Sequence, residues 1–224
     1  RRPAWLIRVG LFLYDLMGGR KILPPTNKLD LSVSLEGVPL KKKFRKAFEY
    51  SDCWIEDSRL VVLNAKDAAK LGAKIYVNTK VISAKKDDGL WRVETKDQTT
   101  GKREVFLSKA LINAGGPWVS DIIHNVMRLN TPEKVRLVRG SHIVVPKIWD
   151  HGKCYFFQGN DGRIIFAIPY ETDFTLIGTT DIDHIELDEK PKCNELEKNY
   201  LINFANQYFD TELKVEDIVW TYSG

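Results

Sequence analysis

The run Ala110-Leu111-Ile112-Asn113-Ala114-Gly115-Gly116-Pro117-Trp118 constrains this chain most. Residues of strand character lead into adjacent glycines, and a proline stands where a helix would begin. Glycine lacks Cβ, so it admits positive φ and lets a flat ligand approach the backbone. Proline suits the first turn of a helix, because the N–H it lacks has no partner there anyway. A strand, a glycine turn and a helix start are how α/β proteins aim backbone donors at a nucleotide. An ordinary strand-to-helix turn uses the same residues, and the run alone does not separate the two readings.

The flanking patterns set the rest of the fold. Residues 3–17 are apolar apart from Arg8 and Asp15, opened by Pro3 and closed by Gly18-Gly19, which predicts a helix. It is too short and too charged to span a bilayer, which takes about 20 apolar residues. It reads as a packed core helix, with a helix lying on a membrane surface as the alternative. A second helix is expected over Asp57–Lys70, ending near Gly72. Short β runs follow at 74–77, 80–86, 90–96 and 103–107, separated by turn signals such as Asp87-Asp88-Gly89 and Thr99-Thr100-Gly101. Further strands are predicted over 142–145, 154–158, 163–168, 175–178 and 218–220, with Asn160-Asp161-Gly162 as a hairpin turn. A last helix spans about 195–209, with Asn194 as N-cap and Glu197 as its capping partner. The predicted class is α+β: a broad, mostly antiparallel sheet with flanking helices, plus a small meander beside the buried strand Ala110–Asn113.

Of the 224 residues, 43% are hydrophobic and 29% charged, which fits a globular chain and excludes a disordered one. A net charge of +4 is too mild to mark a nucleic-acid binder. The densest basic cluster, Lys41, Lys42, Lys43, Arg45 and Lys46, reads as a solvated face. Cys53, Cys154 and Cys193 are widely spaced, the histidines form no ligand pattern, and no metal is expected. His142 follows Gly140-Ser141 at the head of an apolar strand. It is either a general base at a strand end or a half-buried histidine satisfied by its neighbours. Arg139 carries the planar fork that suits phosphate, and a surface role suits it equally.

Taken together, Phe48–Trp54, Ala114–Trp118, Arg139–Pro146, Leu176–Asp181 and Asp217–Gly224 resemble one family. It is that of the FAD-dependent, membrane-associated glycerol-3-phosphate dehydrogenases, within the D-amino-acid-oxidase-like flavoproteins. The resemblance implies a substrate-domain sheet joined to part of a glutathione-reductase-like FAD-binding α/β domain, its N-terminal Rossmann half missing. The chain has no G-x-G-x-x-G motif. Expected domains are a helical bridge over 1–72, an FAD-domain portion over 73–125 and a substrate domain over 126–224. Val81, Ala114, Gly115, Gly116 and Trp118 would lie along the FAD, and Gly224 beside its isoalloxazine. The family more often has Thr where this chain has Gly115. Gly224, as the last residue, is expected to lack a defined conformation.

The resemblance places His142 in the substrate pocket, as base or as hydrogen-bond donor, with Arg139 and Ser141 as substrate contacts. It implies oxidation of sn-glycerol 3-phosphate to dihydroxyacetone phosphate, with electrons passed to quinone. A cytoplasmic position on the inner face of the membrane, peripheral association and a homodimer are further expectations. The chain is expected to be the middle of a longer flavoenzyme, inactive and unable to hold FAD tightly alone. The rivals are a glycerophosphate oxidase, with oxygen as acceptor, and a non-catalytic module binding a phosphometabolite.

Overall fold

A computed structural model describes residues 3–17, 22–132, 135–185 and 190–224. Helix α1 (Ala4–Met17) precedes β1 (Asn27–Asp30), β2 (Lys46–Glu49) and α2 (Asp57–Lys70). Then come β3 (Thr79–Asp87), β4 (Leu90–Asp97), β5 (Arg103–Ser108) and a helical stretch over 116–126 that contains α3 (Val119–Asp121). The remainder is β6 (Val138–Arg139), β7 (Ser141–Pro146), β8 (Tyr155–Gln158), β9 (Ile164–Tyr170), β10 (Phe174–Gly178), β11 (Ile182–Asp183), α4 (Glu195–Tyr208) and β12 (Trp220–Ser223). Every strand pair among the described residues is antiparallel.

The chain forms two compact units. One joins residues 1–53 to 138–224, and the other is 54–137. This grouping differs from the expected divisions at 72 and 125, because α2 belongs with the meander and the N-terminal segment with the large sheet.

In the first unit, five strands order as β12-β7-β10-β9-β8. Strand side chains alternate between faces. On one face Ile143, Val145, Ile177, Ile165, Ala167, Tyr155 and Phe157 are buried. They pack with Leu201, Phe204, Ala205 and Tyr208 of α4, and with Phe209 and Trp149. Fully burying such side chains stabilises by roughly 1.5–3 kcal/mol each. Tyr208 stacks on Phe157 at 4.3 Å between ring centroids, and Phe44 stacks on Tyr208 at 5.1 Å. The lysines around Phe44 stay mostly exposed, as a solvated basic face should. α4 begins as expected, with Asn194 Oδ1 accepting from the Glu197 N–H at 2.9 Å and Glu197 Oε2 accepting from the Asn194 N–H at 3.1 Å.

Beside this core, Lys153 bonds both Glu36 and Glu49. The Lys153 ammonium holds the Glu36 carboxyl down to about 2, from an ordinary 4.5. A depressed carboxylate stabilises the fold above its unfolded pKa and loses that contribution as pH falls through the folded one. An acid titration of stability should therefore show a Glu36 component lost between about pH 4.5 and pH 2. Lys153→Met should remove that component, and an unchanged acid profile in the variant would count against the pairing.

In the second unit β3, β4 and β5 form a meander, and α2 spans the residues expected of it. Several expectations are corrected. Ala110–Asn113 is not a strand, and Ile112 is 86% exposed. No described strand lies alongside it to complete a ladder, and unpaired backbone does not hold strand geometry by itself. Residues 74–77 are irregular for the same reason, although Tyr76 packs on Phe106. The last strand starts at Trp220 rather than 218. α1 forms as expected, yet none of its residues is buried. It is tied by Asp15 accepting from the Thr26 N–H and hydroxyl at 3.0 and 2.9 Å, and by Tyr14 packing on Tyr50. Gly224 is ordered: it exchanges backbone hydrogen bonds with Gly140 at 2.8 and 3.1 Å.

Candidate functional site

The large sheet's second face carries His142, the candidate base. Antiparallel register aligns Tyr222, His142, Gly178, Phe166 and Phe156 in one cross-strand row. Tyr222, Phe166 and Phe156 remain about 40% exposed or more, so an aromatic floor is open on this side. Phe156 meets Phe166 edge-on at 5.0 Å. The His142 imidazole stacks on Tyr222 at 4.8 Å, with the planes 7° apart. On its other side lies Gly178, where a Cβ would stand 2.6 Å from His142 Cγ and 2.7 Å from Nε2. Only glycine fits beneath the ring. His142 Nδ1 is buried with no hydrogen-bond partner. Burial pushes the imidazole pKa down from its ordinary 6.5, which favours the neutral form that can accept a proton.

Beneath this row a buried carboxylate organises the strand ends. Glu197 Oε1 accepts from Ser141 Oγ at 2.7 Å and Thr180 Oγ1 at 2.8 Å. Its Oε2 accepts from Arg139 Nη2 at 3.0 Å and from the Asn194 N–H. These donors fill the roughly four lone-pair sites of a carboxylate. Burial by itself would raise the Glu197 pKa, but the bonds from Ser141, Asn194, Thr180 and Arg139 outweigh it and hold the group below the usual range. Ser141 is fully buried, and Arg139 turns its guanidinium to Glu197. Both expected substrate contacts therefore bond Glu197, Ser141 through Oγ and Arg139 through Nη2.

The glycine turn of the second unit is built by Asn113. Its Oδ1 accepts from the Gly115 N–H at 3.2 Å, and its Nδ2 donates to the Val119 carbonyl at 3.1 Å. Asparagine commonly closes a turn onto an N–H two residues ahead. Gly116 takes φ +55°, and no heavy atom lies within 4 Å of where a Cβ would stand. That open backbone is a cradle a flat cofactor can approach, with Ala114 and Trp118 exposed on either side. A Cβ at Gly115 would press on Ile122 Cδ1, so a threonine there requires that side chain to move. Val81 sits at an irregularity of β3 and is 36% exposed. Such bulges often mark places where a strand meets a ligand.

His142 is the expected site residue that the structure sets in this row, and none of Gly178, Tyr222, Thr180, Ser223 and Glu197 was assigned to its surroundings from sequence. The Asn194–Glu197 capping pair was the one signal pointing to Glu197, and it gave no hint of burial.

Residues 12–224 match the FAD dependent oxidoreductase (DAO) family, and the chain belongs to it. Over 223 residues, all of this chain, it is 49% identical to D-erythritol 1-phosphate dehydrogenase of Brucella abortus. It is 43% identical over the same span to aerobic glycerol-3-phosphate dehydrogenase of Escherichia coli. The chain spans 44% of the length of each. The fold matches glycerol-3-phosphate dehydrogenase from Bacillus halodurans complexed with FAD, at TM-score 0.74 and 27% identity, covering 89% of this chain and 43% of that one. It also resembles L-alpha-glycerophosphate oxidase from Mycoplasma pneumoniae with FAD bound, at TM-score 0.68 and 18% identity, covering 97% of this chain and 57% of that one.

Proposed function

We propose that this chain is part of an FAD-dependent dehydrogenase that oxidises a secondary alcohol of a polyol phosphate. The observation that carries the reading is the identity of 43–49% along the whole chain with two polyol-phosphate dehydrogenases. The open backbone at Gly116 and the exposed floor around His142 suit a flat cofactor and a small polar substrate. Val81, Ala114, Gly115, Gly116 and Trp118 would hold the FAD, with Gly224 near its ring. When bound, FAD supplies the acceptor for the hydride.

His142 takes the hydroxyl proton as the C–H hydride leaves, and a ketone forms. Burial keeps the imidazole neutral before the reaction, so a ring nitrogen is free to take that proton. The flat clamp of Tyr222 and Gly178 fixes the ring plane, so a nitrogen edge is presented to the same point in each turnover. Arg139 and Ser141, the expected substrate contacts, both bond Glu197, and Ser141 precedes His142 in β7.

The first substrate is sn-glycerol 3-phosphate, giving dihydroxyacetone phosphate, with electrons passed to quinone. The higher identity to the Brucella enzyme favours a second reading, a four-carbon polyol phosphate such as D-erythritol 1-phosphate. Peripheral attachment to the inner face of the cytoplasmic membrane goes with a quinone acceptor. It is supported by the exposed Trp5, Phe12 and Leu16 of α1, while no described helix is long and apolar enough to cross a membrane. A homodimer completes the reading.

The test is steady-state kinetics of the full-length protein with both polyol phosphates, using a quinone analogue or oxygen as acceptor. A higher kcat/KM for one polyol phosphate, with quinone preferred to oxygen, is expected. No turnover of either compound with either acceptor would refute the reading.

A further inference from the structure

Two strands clamp the His142 ring, and they and the ring's own strand are tied to one carboxylate by residues beside the clamp. Tyr222 is followed by Ser223, His142 is preceded by Ser141, and Thr180 lies two residues beyond Gly178. Ser141 Oγ gives its one proton to Glu197, so it accepts from Ser223 Oγ at 2.7 Å. Thr180 Oγ1 donates to the same Glu197 oxygen and accepts from the Ser141 N–H at 2.8 Å. The Thr180 N–H also donates to the Ser141 carbonyl at 3.2 Å. Each hydroxyl has one donor direction, and each is spent within this chain of bonds. The second Glu197 oxygen accepts from Arg139 and from the N–H of Asn194, the N-cap of α4. The carboxylate therefore sets the relative heights of β12, β7 and the end of β10 under the imidazole.

We propose that Glu197 is a positioning residue for His142, acting through the hydroxyls of Ser141, Ser223 and Thr180. The inference rests on the reading of His142 as the base. It goes beyond that reading by making the ring's placement depend on a group on the far side of the sheet. A buried hydrogen-bonded network holds geometry more tightly than its separate bonds would. Displacing a reacting group by about 1 Å costs on the order of 100-fold in rate.

The test uses the full-length protein, histidine-labelled with 15N, with His142→Asn assigning the ring signal. Thr180→Val keeps the volume and deletes the hydroxyl, and Thr180→Ser keeps the hydroxyl. In Thr180→Val the His142 ring resonances should shift, and kcat should fall about 10- to 100-fold with KM and FAD content unchanged. Thr180→Ser should match the parent in both. Ring resonances unchanged in Thr180→Val overturn the linkage, whatever the activity. If His142→Asn keeps full kcat, the base assignment fails, and the ring resonances still decide the linkage separately. If Thr180→Val does not fold, Ser223→Ala removes the outermost link and is read the same way.

Discussion

Replacing Glu197 by alanine is expected to cost the folded state about 3–5 kcal/mol, the usual loss when one partner of a buried ion pair is removed. The Glu197 side chain is only 1% exposed, and its partner Arg139 is 18% exposed. Arg139 Nε already lacks a hydrogen-bond partner, so the variant would strand a nearly buried guanidinium. Ser141 and Thr180 would each lose their acceptor inside the sheet, and α4 would lose half of its capping box. Glu197→Gln keeps the shape but turns an NH2 group toward donors, so it too should destabilise. Denaturant titration of parent and variants measures this. A loss below about 1 kcal/mol, the scale of an ordinary substitution, would contradict it.

The same group gives the fold an acid dependence of known sign. Its pKa is lower folded than unfolded, so its contribution is complete above the ordinary value of 4.5. The contribution is lost as pH falls through the folded value. Glu197→Gln should flatten that part of the acid limb while leaving the Glu36 component in place.

Gly178→Ala is expected to remove activity more sharply than stability. The added Cβ would run into His142 Cδ2 and stand 2.6–2.7 Å from Cγ and Nε2, closer than carbon atoms pack. The ring is held on its other face by Tyr222, so it has to leave the clamp or push β12 away. Overpacking of this kind costs about 1–3 kcal/mol. With His142 as the proposed base, its displacement should lower kcat by about 100-fold. The full-length protein should keep its FAD, because the substitution is made at the imidazole and not at the glycine turn. Parent-like kcat in this variant would mean that the imidazole's seat on Gly178 has no part in turnover.

Much of this architecture follows from local pattern. The strands of the large sheet alternate core and open-face residues, and Asn160-Asp161-Gly162 turns between β8 and β9 as its composition requires. Asn194 and Glu197 fixed the start of α4 from two side chains. Ala110–Asn113 departs from the expected strand because an apolar run shows only that a segment wants to be covered, and a strand also needs a neighbour. α1 departs from the expected core helix in the same way: its residues form a helix, but no periodicity says what lies against it. The row Tyr222–His142–Gly178 could not be seen from sequence, since it depends on the register of strands far apart in the chain. Glu197 was visible as a cap and hidden as a keystone, because burial of an N-terminal turn is a tertiary fact.

The most direct measurement is anaerobic reduction of the flavin in the full-length protein, followed by its visible absorbance, with His142→Asn beside the parent. The account predicts that a polyol phosphate bleaches the parent's flavin, and that His142→Asn binds as much FAD but is bleached about 100- to 10,000-fold more slowly, the range a positioned general base supplies. Bleaching at the parent's rate in His142→Asn, or none in the parent with any polyol phosphate, would contradict it.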